Sequence, residues 1–122
     1  MLQMGNHMKL TLPHSLRERC RSFYAGICEC AIMDSPRPDL DLYRFHGGFV
    51  LGIFFAGDAE ILPVPEYIKA AWLELKVDDV PAYRQRLLDF GIEQLPYEDV
   101  SRFYFQAPGG QVFRLAPLDG GI

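Results

Sequence analysis

The sequence predicts an α+β protein in which one strand, one helix and three strands are written twice. Three observations predict it: runs with period-two alternation, two apolar stripes at helical spacing, and an internal match between the halves. Leu10, Leu12 and Ser15 match Leu73, Leu75 and Asp78, each 63 positions later, and Gly47 to Ile53 matches Gly109 to Leu115 at an offset of 62. Two nearly equal offsets at the two ends describe one domain over residues 1–122, with module 1 at about 9–56, a connector at 57–69 and module 2 at about 70–117.

Taken in order, Lys9 and Thr11 alternate with Leu10 and Leu12, as in a half-buried strand, and Pro13 ends the run. Ser15-Leu16-Arg17-Glu18 reads as a capping box, in which serine and glutamate satisfy the free amides that open a helix. Leu16, Cys20, Phe23, Tyr24 and Ile27 then make one apolar stripe. Cys28 to Met33 reads as extended, and Ser35-Pro36-Arg37-Pro38-Asp39 as a turn, because two prolines remove donors and fix φ. Leu40 to His46 and Phe49 to Ala56 flank Gly47-Gly48, a hairpin signal.

The connector carries Pro63 and Pro65. Beyond it, Leu73, Leu75 and Val77 alternate with Trp72, Glu74 and Lys76. Asp78 and Asp79 are N-cap candidates ahead of Pro81, Tyr83, Leu87 and Phe90 form the second helical stripe, and Gly91 is its stop. Ile92 to Leu95, Ser101 to Ala107 and Gln111 to Ala116 complete the repeat, the last two joined through Pro108-Gly109-Gly110.

Composition narrows the function classes. A chain 49% hydrophobic and 23% charged has the core formers of a compact fold rather than a disordered segment. Its 12 basic against 16 acidic residues argue against general nucleic-acid binding, which needs a basic face to neutralise phosphates. The longest apolar run, Phe49 to Ala56, is less than half a membrane span, and no basic-then-apolar start is visible, so a soluble cytoplasmic protein without a membrane partner is expected. Cys20, Cys28 and Cys30 are too few and too closely set for a disulfide framework, and no second cysteine or histidine pair completes a zinc site; buried, inert thiols are expected.

The strand into a helix ending Ser22-Phe23-Tyr24, the step Val77-Asp78-Asp79, and the run Phe105-Gln106-Ala107-Pro108-Gly109-Gly110-Gln111-Val112-Phe113-Arg114-Leu115 are similar to those of the vicinal oxygen chelate superfamily. That superfamily includes glyoxalase I, extradiol dioxygenases, and fosfomycin- and bleomycin-resistance proteins. The resemblance covers about Lys9 to Pro117, and departs from the family at Ala107, where many members have aspartate. It implies paired βαβββ modules whose mixed sheets curl around a concave cleft, helices on the outer faces, and a homodimer. It also implies up to four metal ligands, one at the start of each module's first strand and one on each last strand. Carried onto this chain, those positions are Lys9, Gly52, Trp72 and Arg114. None is a metal ligand: protonated lysine and arginine have no lone pair, glycine has no side chain, and indole offers only a donor. The expectation is therefore a protein with no metal and no other cofactor.

Alternation selects what faces the cleft instead. With the leucines and Val77 turned to the helices, Lys9, Thr11, Trp72, Glu74, Lys76, Val112 and Arg114 share the other side, with Val50 and Gly52 beside them. Tyr104 or Phe103 joins them, depending on register. The expected ligand-binding residues are thus Lys9, Thr11, Gly52, Trp72, Glu74, Tyr104 and Arg114, and no catalytic residue is assigned. An arginine beside an indole suits a small planar or anionic ligand. The bland alternative is a structural ion pair of Glu74 with Arg114 or Lys9.

Two other functions compete with metal-free binding of a small molecule. One is a lyase, isomerase or dioxygenase with a relocated metal, for which His7 and Glu74 are two ligands lacking a third, or with Glu74 as acid or base. The other is a module used mainly for its dimer surface. His14 and His46 read as surface residues, and neither a nucleophile elbow nor a phosphate-binding glycine loop is present.

Overall fold

The computed structural model describes residues 1–57, 66, 69–97 and 101–121. The chain divides into two compact units, residues 1–61 and 62–122, so the boundary falls inside the expected connector, most of which lies outside the described residues. Each unit holds one mixed sheet backed by helix, and the fold is α+β as expected. Among the described residues, no helix is long and apolar enough to cross a membrane.

In the first unit, β1 (His7–Leu12) runs parallel to β4 (Val50–Phe55), which pairs antiparallel with β3 (Leu40–Arg44), and β3 with β2 (Ala31–Met33). The sheet order is β1-β4-β3-β2. Between β1 and β2 the chain makes a 3-10 turn (His14–Leu16), α1 (Arg17–Arg21) and a wider π turn (Ser22–Ile27). The expected capping box does not form. The 3-10 turn opens at Pro13, and neither Pro13 nor Leu16 makes a side-chain cap, so Ser15 sits inside the first turn rather than ahead of it. The stripe survives this: Cys20, Phe23 and Tyr24 are buried, and Tyr24 lies against Tyr43 with ring centroids 5.1 Å apart.

The expected strand over Cys28–Met33 is shortened to its last three residues. The amides of Cys28 and Cys30 still donate to Phe23 and Tyr24 of the helical turn, and Glu29 takes the left-handed conformation between them (φ 59°). That closes a helix, as a C-terminal glycine would. Cys20, Cys28 and Cys30 form no disulfide, and burial pushes Cys20 and Cys30 up to about 12, the Asp41 charge adding to the effect at Cys20. Thiols held protonated in this way are poor nucleophiles and poor ligands.

In the second unit, β5 (Trp72–Val77) runs parallel to β7 (Val112–Pro117), which pairs antiparallel with β6 (Tyr104–Gln106). Helix α2 (Val80–Phe90) opens with Asp79, whose carboxylate accepts the Ala82 amide at 3.0 Å, and closes at Gly91 with φ 101°. Leu87 is the fully buried member of its stripe. The expected strand over Ile92–Leu95 is reduced to one bridge, Gln94 with Phe105, and the Leu95 amide donates to the Tyr104 carbonyl at 2.7 Å. Pro96 follows directly and cannot donate, which stops the ladder there.

Hydrogen bonding corrects the alignment of the two halves. The hairpins correspond as expected: Phe45 N donates to Phe49 O, and Ala107 N to Gln111 O, with Gly47, Gly48, Gly109 and Gly110 all at positive φ. At the far end, however, Ala56 N donates to Leu12 O, and Leu118 N donates to Val77 O. Ala56 and Leu118 match at the hairpin offset, but Leu12 then matches Val77 rather than Leu75. The first strands therefore correspond two residues further along than their leucines suggest. A slip of two leaves every side chain on its own face, so the alternating pattern is blind to it.

Candidate functional site

Register decides which residues share a face. Lys9 pairs with Gly52 across β1 and β4, and Leu42 of β3 lies beyond Gly52. In the second sheet the corresponding pair is Glu74 with Arg114, with Tyr104 of β6 beyond Arg114. So Glu74 stands where Lys9 stands in the other unit, and Trp72, placed there by sequence matching, is one step before it, opposite Val112. The open choice between Tyr104 and Phe103 resolves in favour of Tyr104.

In the first unit, the exposed Lys9 lays its stem over Gly52: a Cβ added to Gly52 would sit 2.5 Å from Lys9 Cδ and 2.8 Å from Cε. The room left by the missing side chain is thus taken by lysine methylenes, with the ammonium free to reach water. Thr11, opposite Phe54, is exposed on the same face. Gly52→Ala is expected to cost about 1 kcal/mol by overpacking, and Lys9→Ala in the same chain to remove most of that cost. Urea unfolding of both single variants and the double variant measures the coupling; simple additivity would contradict the contact.

The second unit brings Trp72, Glu74, Tyr104 and Arg114 together. Arg114 is only 9% exposed although it is charged, and its Nη2 donates to Glu74 Oε2. Its guanidinium carbon lies 4.7 Å from the Trp72 ring centroid and 5.9 Å from that of Tyr104. Trp72 and Tyr104 meet edge to face at 5.3 Å, and Tyr97 packs edge-on against Tyr104 at 4.8 Å. The Glu74 hydrogen bond raises the Arg114 pKa further, outweighing burial, so the guanidinium stays charged. Lys76 Nζ stands 3.9 Å from the other Glu74 oxygen. The structural ion pair weighed from sequence is therefore present, between Glu74 and Arg114. One feature exceeds what such a pair needs: Arg114 Nε is buried with no hydrogen-bond partner, and an unpaired buried donor costs free energy.

Tyr97 belongs to this cluster and was not foreseen. It lies between the expected strands Ile92 to Leu95 and Ser101 to Ala107, in a stretch assigned to no element, and no periodicity marks it. His7, His14 and His46 are all exposed.

No protein-family model matches the chain, and no curated protein matches it. Solved structures do. The fosfomycin resistance protein FosX of Listeria monocytogenes superposes with a TM-score of 0.73 at 16% identity, over 100% of this chain and 94% of that one. The chain has the vicinal oxygen chelate fold. Glyoxalase I of Leishmania major, a trypanothione-dependent enzyme, superposes with a TM-score of 0.67 at 16% identity, over 95% and 87% of the two chains. A Listeria FosX variant whose structure holds Mn(II) and a dihydroxypropylphosphonic acid superposes at 0.66 and 16% identity, covering 94% and 90%.

That the Listeria FosX variant's structure holds Mn(II) makes the donor set here worth testing against a metal. Among the described residues, no group of three histidine, cysteine, aspartate or glutamate side chains could hold a metal ion. Of the register-matched positions Lys9, Gly52, Glu74 and Arg114, only Glu74 has lone pairs to offer, and it is already hydrogen-bonded to a guanidinium. Lys76 and Arg114 beside it would repel a divalent cation. The residues do not fit a metal.

Proposed function

We propose that the protein binds a small anionic or aromatic molecule, without a metal ion, on the face of the second sheet formed by Trp72, Tyr104 and Arg114, with Glu74 as the internal counter-ion. The observation that carries this is the buried guanidinium held between two rings with its Nε–H unpaired. A ligand carboxylate would supply the missing acceptor through a charge-assisted hydrogen bond, and a planar ring would stack on the indole edge of the site. Lys9, Thr11 and Gly52 form the corresponding face of the first unit and are proposed as ligand-contacting residues of that unit.

Trp72 is the chain's single tryptophan, so its fluorescence reports on this face alone. Titration with a panel of aromatic carboxylates, with native mass spectrometry of the freshly purified protein, tests the reading. Saturable quenching by at least one compound is expected, lost in Arg114→Met. Stoichiometric transition metal together with metal-dependent turnover would overturn it.

A second reading follows from the fold neighbours, among which glyoxalase I of Leishmania major is an enzyme. Here Glu74 would be the acid or base, after ligand binding displaces it from Arg114. On any substrate found to turn over, Glu74→Gln should then abolish the reaction while leaving ligand affinity within a few-fold; unchanged turnover ends this reading.

A further inference from the structure

We propose that the second unit carries a separate anion site, suited to a phosphate-bearing small molecule, built from Arg84 and Arg102 beside α2. A cavity of about 410 Å3 opens there, within the range of small-molecule pockets. Arg84, Ser101 and Arg102 line it together with the apolar Val80, Phe103 and Leu115. Trp72, Glu74 and Tyr104 do not line it, and among its described lining residues none is acidic. Arg114 reaches its wall but spends its charge on Glu74.

The Arg84 guanidinium and the Arg102 backbone are held in place. The Arg84 guanidinium carbon lies 5.4 Å from the Phe103 ring centroid, and its Nη2 donates to Gln94 Oε1 at 3.4 Å. Gln94 Nε2 in turn donates to the Arg102 carbonyl at 3.2 Å. One glutamine thus ties the helix that carries Arg84 to the segment that carries Arg102. On the far rim, Lys76 Nζ donates to the Gly120 carbonyl at 2.6 Å and Gly120 N to Pro117 O at 3.0 Å, which holds the C-terminal segment in place. A guanidinium has five N–H donors in a planar fork. Arg84 commits one of them, at long distance, to an uncharged acceptor, and so keeps its charge and most of its donors for a ligand. Two such forks match the several acceptor oxygens of a phosphate or pyrophosphate group, and the volume and apolar wall leave room for a small organic part.

The probe is inorganic pyrophosphate, titrated calorimetrically at low ionic strength into the intact chain. One equivalent is expected to bind, with Arg84→Gln and Arg102→Gln each raising Kd at least tenfold while keeping the wild-type unfolding curve. Trp72→Phe, which should disable the proposed aromatic face, is expected to leave pyrophosphate affinity unchanged. The absence of binding to the wild type at millimolar concentration, or wild-type affinity in either arginine variant, overturns the proposal. Loss of binding in Trp72→Phe also overturns it, since the anion would then belong to the other face.

Discussion

Asp41→Asn is expected to lower stability by about 3 kcal/mol at neutral pH, the low end for removing one partner of a buried ion pair. Asp41 is 4% exposed on β3, and its carboxylate takes hydrogen bonds from Arg17 Nη2 at 2.7 Å, from Arg21 Nε at 2.8 Å and from Tyr43 Oη at 2.8 Å. The arginines come from α1, so this cluster pins the helix to the sheet, with Arg17 also over the Phe55 ring at 5.3 Å. Asparagine keeps the volume but leaves Arg17 without a counter-charge and Arg21 with only the exposed Glu18, 3.3 Å away. The two arginines' exposure of 23% and 38% lets water take up part of that loss, which places the cost at the low end.

The pH dependence has a definite sign. Burial by itself would raise the Asp41 pKa, but the hydrogen bonds from Arg21, Arg17 and Tyr43 outweigh it and hold the carboxyl well below its usual range. A depressed folded pKa contributes stability above the unfolded value, about 3.9, and that contribution is lost as pH falls toward the folded value. The gap in urea midpoint between wild type and Asp41→Asn should therefore be full at pH 6 and shrink progressively below about pH 4. A gap unchanged between those conditions would show that the charge is not what Asp41 contributes.

Breaking the Glu74–Arg114 pair should be strongly asymmetric. Glu74→Gln leaves the guanidinium, only 9% exposed, without its counter-ion, and is expected to cost about 3 kcal/mol. Arg114→Met leaves a carboxylate that is 23% exposed and still 3.9 Å from Lys76, while its thioether fills space between Trp72 and Tyr104. A cost of about 1 kcal/mol is expected there, near that of a surface pair. Denaturant unfolding of the two variants and the double variant completes the cycle. If Arg114→Met proves the costlier change, the pair exists to satisfy Glu74, and the proposed role of Arg114 as the ligand's anchor loses its support.

Much of the fold was legible because it is local. Leu10 and Leu12, the stripe through Cys20, Phe23 and Tyr24, Asp79 with Pro81, Gly91, and the two glycine hairpins each act within a few residues of chain. Where local signals misled, a neighbour outcompeted them. The Ser15 capping box yielded to a helix start two residues earlier, and the strand over Cys28–Met33 lost its first half to helix-closing hydrogen bonds. The Asp41 cluster drew no attention because its members, Arg17, Arg21, Asp41 and Tyr43, are apart in sequence and have no spacing to reveal them.

What the sequence determined by itself is the duplicated α+β plan and the chemical character of one sheet face, which carries an arginine and an indole. What only the tertiary structure decided is which residues on that face stand opposite one another. Side-chain alternation repeats every two residues and so cannot tell Trp72 from Glu74 as the counterpart of Lys9. The hydrogen bonds from Ala56 to Leu12 and from Leu118 to Val77 can, because a backbone amide reaches one carbonyl and not the next one along.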